Sequence, residues 1–424
     1  MTLKRRLPLI VFVLVGSVLL TSCAFEPFAK IPFGVALGTA INMPIPDDPT
    51  DLITADFNGD GHLDLVSLHL FKRNLVFHAG DGLGGFESQN PIVFNPDPIM
   101  YRIADVNGDD LADLLVLVDE SYELAILLGS EEFGLVLATT VSLIHESLEE
   151  PSSVMGNSEN IAPEHGGFGE QGRLHSFTYG DYDDDGNLDI VAGFQDGEVE
   201  WFKGNGDETF DATEEIVTKM QLPELETIDL NNDGYDDLIV FGNVESIIDP
   251  DELDGSKVSV FYGSANGFSK EEELIVRVTS GTVGSILIHD FDQDGLDDLV
   301  IGFSGNGTVA ILPNTGAGAF DELRSYLVKS ASGITLADLD NDGDDDLLTS
   351  QSRGEFNTGV VQVFLNAGNY RLRAPETFEV RIGPRSLVSG DFNEDGLPDI
   401  AVINQFSSDL SLIFNETGLG GADN

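Results

Sequence analysis

Seven segments of this 424-residue chain set oxygen-bearing side chains at positions 1, 3, 5 and 9 of a short loop, followed at once by an apolar run. The first is "DFNGDGHLDLV" at 56; the others are "DVNGDDLADLLV" at 105, "DYDDDGNLDIV" at 181, "DLNNDGYDDLIV" at 229, "DFDQDGLDDLV" at 290, "DLDNDGDDDLL" at 338 and "DFNEDGLPDIAV" at 391. Position 1 is Asp56, Asp105, Asp181, Asp229, Asp290, Asp338 and Asp391. Position 3 is Asn58, Asn107, Asp183, Asn231, Asp292, Asp340 and Asn393. Position 5 is Asp60, Asp109, Asp185, Asp233, Asp294, Asp342 and Asp395, and position 9 is Asp64, Asp113, Asp189, Asp237, Asp298, Asp346 and Asp399.

Asp and Asn oxygens are hard ligands, and a glycine at position 6 lets the chain bend sharply enough for a carbonyl at position 7 to join a six- to eight-oxygen shell. Crowded carboxylates repel one another until a divalent cation sits among them. The spacing therefore points to calcium, up to seven ions in all. Acidic Asp/Gly turns between strands would use the same residue types, but seven copies with one ligand spacing argue against turns alone. The EF-hand, with its glutamate at position 12 and flanking helices, fails in every copy: position 12 is Ser67, Val116, Ala192, Val240, Ile301, Thr349 or Val402. Only the second copy lacks the bend glycine, having Asp110, so its loop is expected to be distorted or weak.

Positioning these loops is the task of the strands around them. Each loop leads into four to six aliphatic residues such as "LDIVAGF" or "DDLVIGF", then into a second apolar stretch such as "NLVFHAG", "EVEWFKG" or "LSLIFNE". Short apolar runs bounded by turn residues read as buried strands. Loop starts fall 48 to 76 residues apart, with 48 or 49 recurring, and a period of that length signals an array or propeller. Four short antiparallel strands per unit make one blade.

These loops and strands resemble the FG-GAP/VCBS repeats of integrin α-chain propellers and many bacterial surface proteins, over residues 31 to 419. The resemblance implies calcium loops within blades and a role in adhesion, in ligand or glycan binding, or as a scaffold. The expected fold is an all-β, seven-bladed β-propeller of four-stranded antiparallel blades, spanning 33–419. The last copy stops after its second apolar strand and "FGVALGTAINMPIP" supplies an orphan strand, so the ring is expected to close by the N-terminal strand joining the C-terminal blade. That closure hides exposed sheet edges. A tail of 420–424 follows.

Antiparallel connectivity places the Asp loops on one face and the remaining connections on the other. Three long insertions, at 145–172, 243–256 and 351–359, decorate that other face, which is read as the surface for a protein or glycan ligand. Long loops in compact folds tend to be functional or disordered.

The chain opens "MTLKRRLPLIVFVLVGSVLLTSC": a basic start, a short apolar run and small residues, as in an export signal. "LTSC" resembles the lipobox of bacterial lipoproteins, which implies a signal peptide at 1–22, lipidation of Cys23, a tether over 23–32 and attachment to a bacterial membrane, with outer membrane or cell surface favoured by Ala24. Cys23 is the only cysteine, so no intramolecular disulfide is possible. The 75 acidic and 20 basic residues give a net charge of −55, which repels nucleic acid.

No HExxH, GxSxG or P-loop pattern occurs. His62 and His289 lie in or beside Asp loops; the other five histidines are expected on strand or loop surfaces. Trp201 could stack on a sugar, but an aromatic on a strand is more often core, and "RGE" at 353–355 is too short to carry recognition. The reading is a calcium-binding, membrane-anchored interaction module. The alternative is a polysaccharide-active enzyme on the same scaffold.

Overall fold

Each Asp loop runs into a strand that is buried on both faces: Asp64–His69, Asp113–Val118, Asp189–Phe194 and Asp399–Asn404 are buried at every position. The computed structural model describes residues 35–417, apart from 47, 96, 119–122, 144–173, 196, 207–208, 218–220, 245–254, 265–266, 269–270, 275–281, 305–306, 317–318, 329–331 and 353–357. The leader, Cys23, the 145–172 insertion, most of the other two insertions, the RGE triplet and the 420–424 tail lie outside the described residues.

Among the described residues the one helical element is a short 3-10 turn, Leu70–Lys72, and no helix is long and apolar enough to cross a membrane. The rest is a seven-bladed β-propeller of small antiparallel sheets. Blade 1 holds Asp51–Ala55, Asp64–His69, Asn74–Gly80 and Phe86–Ser88, with Ile92–Val93 also pairing to the third strand. Blade 2 holds Pro98–Ala104, Asp113–Val118, Glu123–Ser130 and Gly134–Ser142, and blade 3 Leu174–Gly180, Asp189–Phe194, Glu198–Gly204 and Phe210–Val217. Blade 4 holds Gln221–Ile228, Asp237–Val244, Gly255–Phe261 and Glu271–Leu274. Blade 5 holds Thr282–His289, Asp298–Ser304, Thr308–Leu312 and Arg324–Leu327; blade 6 holds Gly333–Ala337, Asp346–Gln351, Thr358–Phe364 and Glu376–Ile382.

Blade 7 takes Pro384–Gly390, Asp399–Asn404 and Asp409–Ile413 from one end of the chain and Ile41–Pro44 from the other. The register pairs Ile41 with Leu412 and Pro44 with Asp409. The Ser411 hydroxyl donates to Asn42 Oδ1 at 2.7 Å across this seam.

Period-two alternation builds the core. In every second strand, two adjacent residues point to opposite faces and enter different apolar clusters. Leu65 joins the cluster shared by blades 7 and 1, while Val66 joins that of blades 1 and 2. Ile190 and Val191, Leu238 and Ile239, Leu347 and Leu348, and Ile400 and Ala401 divide in the same way. Position 2 of each loop adds an apolar anchor; Phe57, Tyr182, Leu230, Phe291, Leu339 and Phe392 are buried. A buried side chain of this size contributes about 1.5–3 kcal/mol.

One sequence expectation about side-chain placement needs correction. His69 and His78 are buried, not on a surface; they occupy inward positions of the second and third strands of blade 1, where Ser67 supplies the polar partner. Trp201 lies in the core, the reading favoured over a sugar platform: it is 6% exposed and packs edge-on against Tyr182 and Phe268 between blades 3 and 4.

Candidate metal centres

The seven loops share one hydrogen-bonding plan. The position 9 carboxylate is buried, and its two oxygens accept the N–H of position 2 and an N–H at or just beyond the end of the third strand, at 2.7–3.2 Å throughout. In blade 1 these donors are Phe57 and Gly80 on Asp64. Position 9 thus latches the loop to its own blade. The position 1 carboxylate caps the bend, accepting from the position 6 N–H at 2.8–3.0 Å in every loop. Position 5 accepts from the position 7 N–H.

This plan requires a left-handed residue at position 6. The glycines there have φ of +85° to +96°, a region that side chains rarely enter. Asp110, expected to distort the second loop, takes φ +68° and still donates its N–H to Asp105 at 3.0 Å. That loop keeps the common bonding pattern.

Burial pushes Asp64, Asp189, Asp237, Asp298 and Asp399 up to about 6, Asp346 up to about 8, and Asp113 upward as well, with backbone N–H bonds opposing the shift. Burial followed by the Asp342 charge raises Asp340 to about 6. Outside blade 3, where a lysine enters the loop, most of this negative charge has no cationic side chain against it. A divalent cation would supply the missing counter-charge.

The loops differ at position 3. In blades 1, 2 and 7 the asparagine closes on its neighbour: Asn58 Nδ2 donates to Asp60 at 3.0 Å, Asn107 to Asp109 at 3.0 Å and Asn393 to Asp395 at 3.2 Å. In blades 3 to 6 a position 3 oxygen is buried without a hydrogen-bond partner: Asp183 Oδ1, Asn231 Oδ1, Asp292 Oδ1 and both oxygens of Asp340. Buried polar atoms are rarely left unpaired. Three triads bring one oxygen from each member within 4.8 Å of the others: Asp181/Asp183/Asp189, Asp290/Asp292/Asp294 and Asp338/Asp340/Asp346. Orphaned oxygens and convergent carboxylates fit a hard cation. In blade 3 the Lys203 ammonium also enters the loop, contacting Asp183 and lying 2.7 Å from Asp185.

Side chains that the loop pattern does not contain fasten several loops to their neighbours. Asn314, Asn366 and Asn415 donate from one blade to the position 2 carbonyl of the preceding blade, on Leu230, Phe291 and Leu339 at 2.9–3.2 Å. The signal was the asparagine closing "TVAILPN", "VVQVFLN" and "LSLIFN", where blades 1 to 4 have glycine. Those glycines meet a different constraint: a Cβ on Gly80 or Gly204 would stand 2.1 Å from a carbonyl oxygen. His289 Nε2 lies 2.7 Å from Asp345 of blade 6, and His62 contacts Glu394 of blade 7.

The family model described as an FG-GAP-like repeat matches residues 56–116, 181–240, 229–301 and 290–349. The chain belongs to the FG-GAP-like repeat family. A second FG-GAP repeat model matches 383–422, which adds the last loop of this FG-GAP propeller. Among solved structures it is similar to BBS1N in complex with ARL6DN, soaked with lead, at 15% identity and TM-score 0.57, covering 89% of this chain and 96% of that one. The mercury-soaked form of the same complex gives 14% identity, the same coverage and TM-score 0.57. A protein from Lactobacillus plantarum gives 12% identity and TM-score 0.51, covering 79% of this FG-GAP chain and 85% of its own. At these identities the likeness establishes the fold. The comparison with curated proteins found no match.

On the face opposite the Asp loops, where the first strands begin, a cavity of about 800 Å³ opens at the propeller axis. Asp51, Glu224, Arg385, Gln405 and Phe406 are among its lining residues. Glu224 pairs with His175 at 3.2 Å. Below the mouth, Arg102 of blade 2 donates to the Leu225 carbonyl at 3.1 Å and to Glu226 at 3.0 Å, linking the inner strands of blades 2 and 4.

Proposed function

We propose that this FG-GAP propeller is a calcium-stabilised interaction module, exported and held at a bacterial membrane through Cys23, that binds a protein or glycan at the face opposite its Asp loops. The propeller fold supports the interaction role. The observation that carries the calcium reading is the set of orphaned position 3 oxygens, Asp292 Oδ1 and the Asp340 pair above all, beside position 1, 5 or 9 carboxylates. Asp290, Asp292 and Asp294 would hold an ion in blade 5, and Asp338, Asp340 and Asp346 in blade 6. These carboxylates would face a positive charge there that favours their ionised form. The mouth cavity, with charge of both signs and an exposed Phe406, suits a ligand that combines hydrogen-bonding groups with a small apolar surface.

Thermal unfolding in calcium and in chelator tests the metal reading. Each site filled at a hundred times its Kd adds about 2.7 kcal/mol. A melting temperature that is the same in both buffers, with metal removal verified, refutes it. For the binding face, glycan arrays and exported-protein fractions probed with the wild type and Arg385→Glu give the test. Ligand capture undiminished in the variant and by blocking of the mouth would move the site elsewhere.

A further inference from the structure

The blade 3 loop receives a lysine from its own third strand. Lys203, the penultimate residue of Glu198–Gly204, projects into the loop of its own blade. Its ammonium contacts Asp183 and sits 2.7 Å from Asp185, so it spans positions 3 and 5. The equivalent residues of the other blades are Ala79, Leu128, Tyr262, Pro313, Leu365 and Phe414, none of which can bring a charge. The ammonium donates to the Asp183 carboxylate, which accepts. The pairing is local and covalently tethered. An ammonium is a compact point charge with three donors, placed on two of the oxygens that a divalent ion would need.

We propose that Lys203 is the resident cation of the blade 3 loop, which folds around this side chain instead of a calcium ion. The inference rests on the calcium reading of the other loops and separates blade 3 from them. Asp181, Asp183 and Asp189 converge as the blade 5 and blade 6 triads do, so the carboxylate set is present and the lysine is what closes it. Removing the ammonium while keeping the stem's length should open the loop to metal.

The test uses the full chain, calcium titration and native mass spectrometry to count bound ions. Lys203→Met is expected to bind one calcium more than the wild type, and Asp183→Asn is expected to remove that extra ion from the Lys203→Met background while leaving the wild-type count unchanged. Melting is the second measurement: in chelator Lys203→Met should unfold at a lower temperature than the wild type, and calcium should recover the difference. Equal ion counts in wild type and Lys203→Met, or loss of an ion on Asp183→Asn in the wild type, overturn the proposal. Asp292→Asn tells the two readings apart. If it lowers the wild-type count by one, calcium binding stands and only the lysine role is at stake; if the wild type and all variants bind none, both fail.

Discussion

The Tyr370 hydroxyl of blade 6 donates to both carboxylate oxygens of Asp298 in blade 5, at 3.1 and 3.0 Å. Its ring stacks on Phe291 with an interplanar angle of 17°, and the Arg324 guanidinium lies 4.6 Å from the ring centroid. One side chain thus joins the latch of one blade to the glycine turn of the next. Hydrogen bonds to charged groups contribute about 1.5–3 kcal/mol. Tyr370→Phe should lower unfolding stability by that amount, read from urea midpoints at neutral pH, with the ring packing retained. An unshifted midpoint would mean that the backbone donors on Asp298 already suffice.

Latch and ligand positions should separate by mutation. Asp346 accepts from Leu339 and Asn366 N–H groups at 3.1 and 2.8 Å, whereas Asp340 has no partner on either oxygen. Asp346→Ala leaves two buried donors unpaired, at about 1–3 kcal/mol each, and should destabilise in calcium and in chelator alike. Asp340→Asn removes a charge that burial and Asp342 disfavour and that Arg373 only partly offsets, so it should raise the melting temperature in chelator and reduce the gain from calcium. Parallel melts of both variants in the two buffers check this. Identical behaviour would erase the distinction.

Blade 1 carries a chain of hydroxyls and imidazoles, buried at Ser67, His69 and His78 and reaching the surface at Ser88. Ser67 Oγ lies 2.8 Å from both His69 Nε2 and His78 Nε2, and His78 Nδ1 lies 2.7 Å from Ser88 Oγ. Burial, then the proximity of His69, lowers His78 to about 4 from an ordinary 6.5. Between those values the unfolded chain takes up a proton that the folded chain refuses. Stability from the neutral imidazole is therefore complete above pH 6.5 and is lost as pH falls toward 4, by about 3 kcal/mol in full. His78→Gln should remove that part of the pH slope. Urea midpoints at pH 7.5 and 4.5, compared between wild type and variant, give the answer; equal slopes would place the sensitivity elsewhere.

Asp110 stands at φ +68° where six loops have glycine. A left-handed conformation disfavours residues with a Cβ by about 1–2 kcal/mol, partly offset by glycine's larger unfolded-state entropy. Asp110→Gly should therefore stabilise the protein by about 0.5–1 kcal/mol, measurable as a raised melting temperature. A fall would show that the Asp110 carboxylate has a partner role in that loop.

Loops and strands were legible because their chemistry is local. Ligand spacing at positions 1, 3, 5 and 9 is fixed within nine residues, and alternating apolar residues mark the strands on either side. Partners contributed across strands were not legible. Lys203 meets Asp183 only because the third strand returns beside the loop, and Asn366 meets Phe291 only because blades 5 and 6 are neighbours. His78 looked like a surface residue until its pairing with Leu65 and Ser88 set it inward. The shared latch role of position 9 also escaped, since a carboxylate that accepts two backbone donors reads in sequence like any other ligand.

Because adjacent residues of each second strand feed different inter-blade clusters, no repeat owns a complete hydrophobic interior. Excising one 48-residue unit would bring together two sheet faces shaped for other neighbours and change the angle through which every remaining sheet must turn. Copy number is thereby frozen by geometry. Variation is confined to the loops, whose charges can be edited one at a time without disturbing the hoop that carries them.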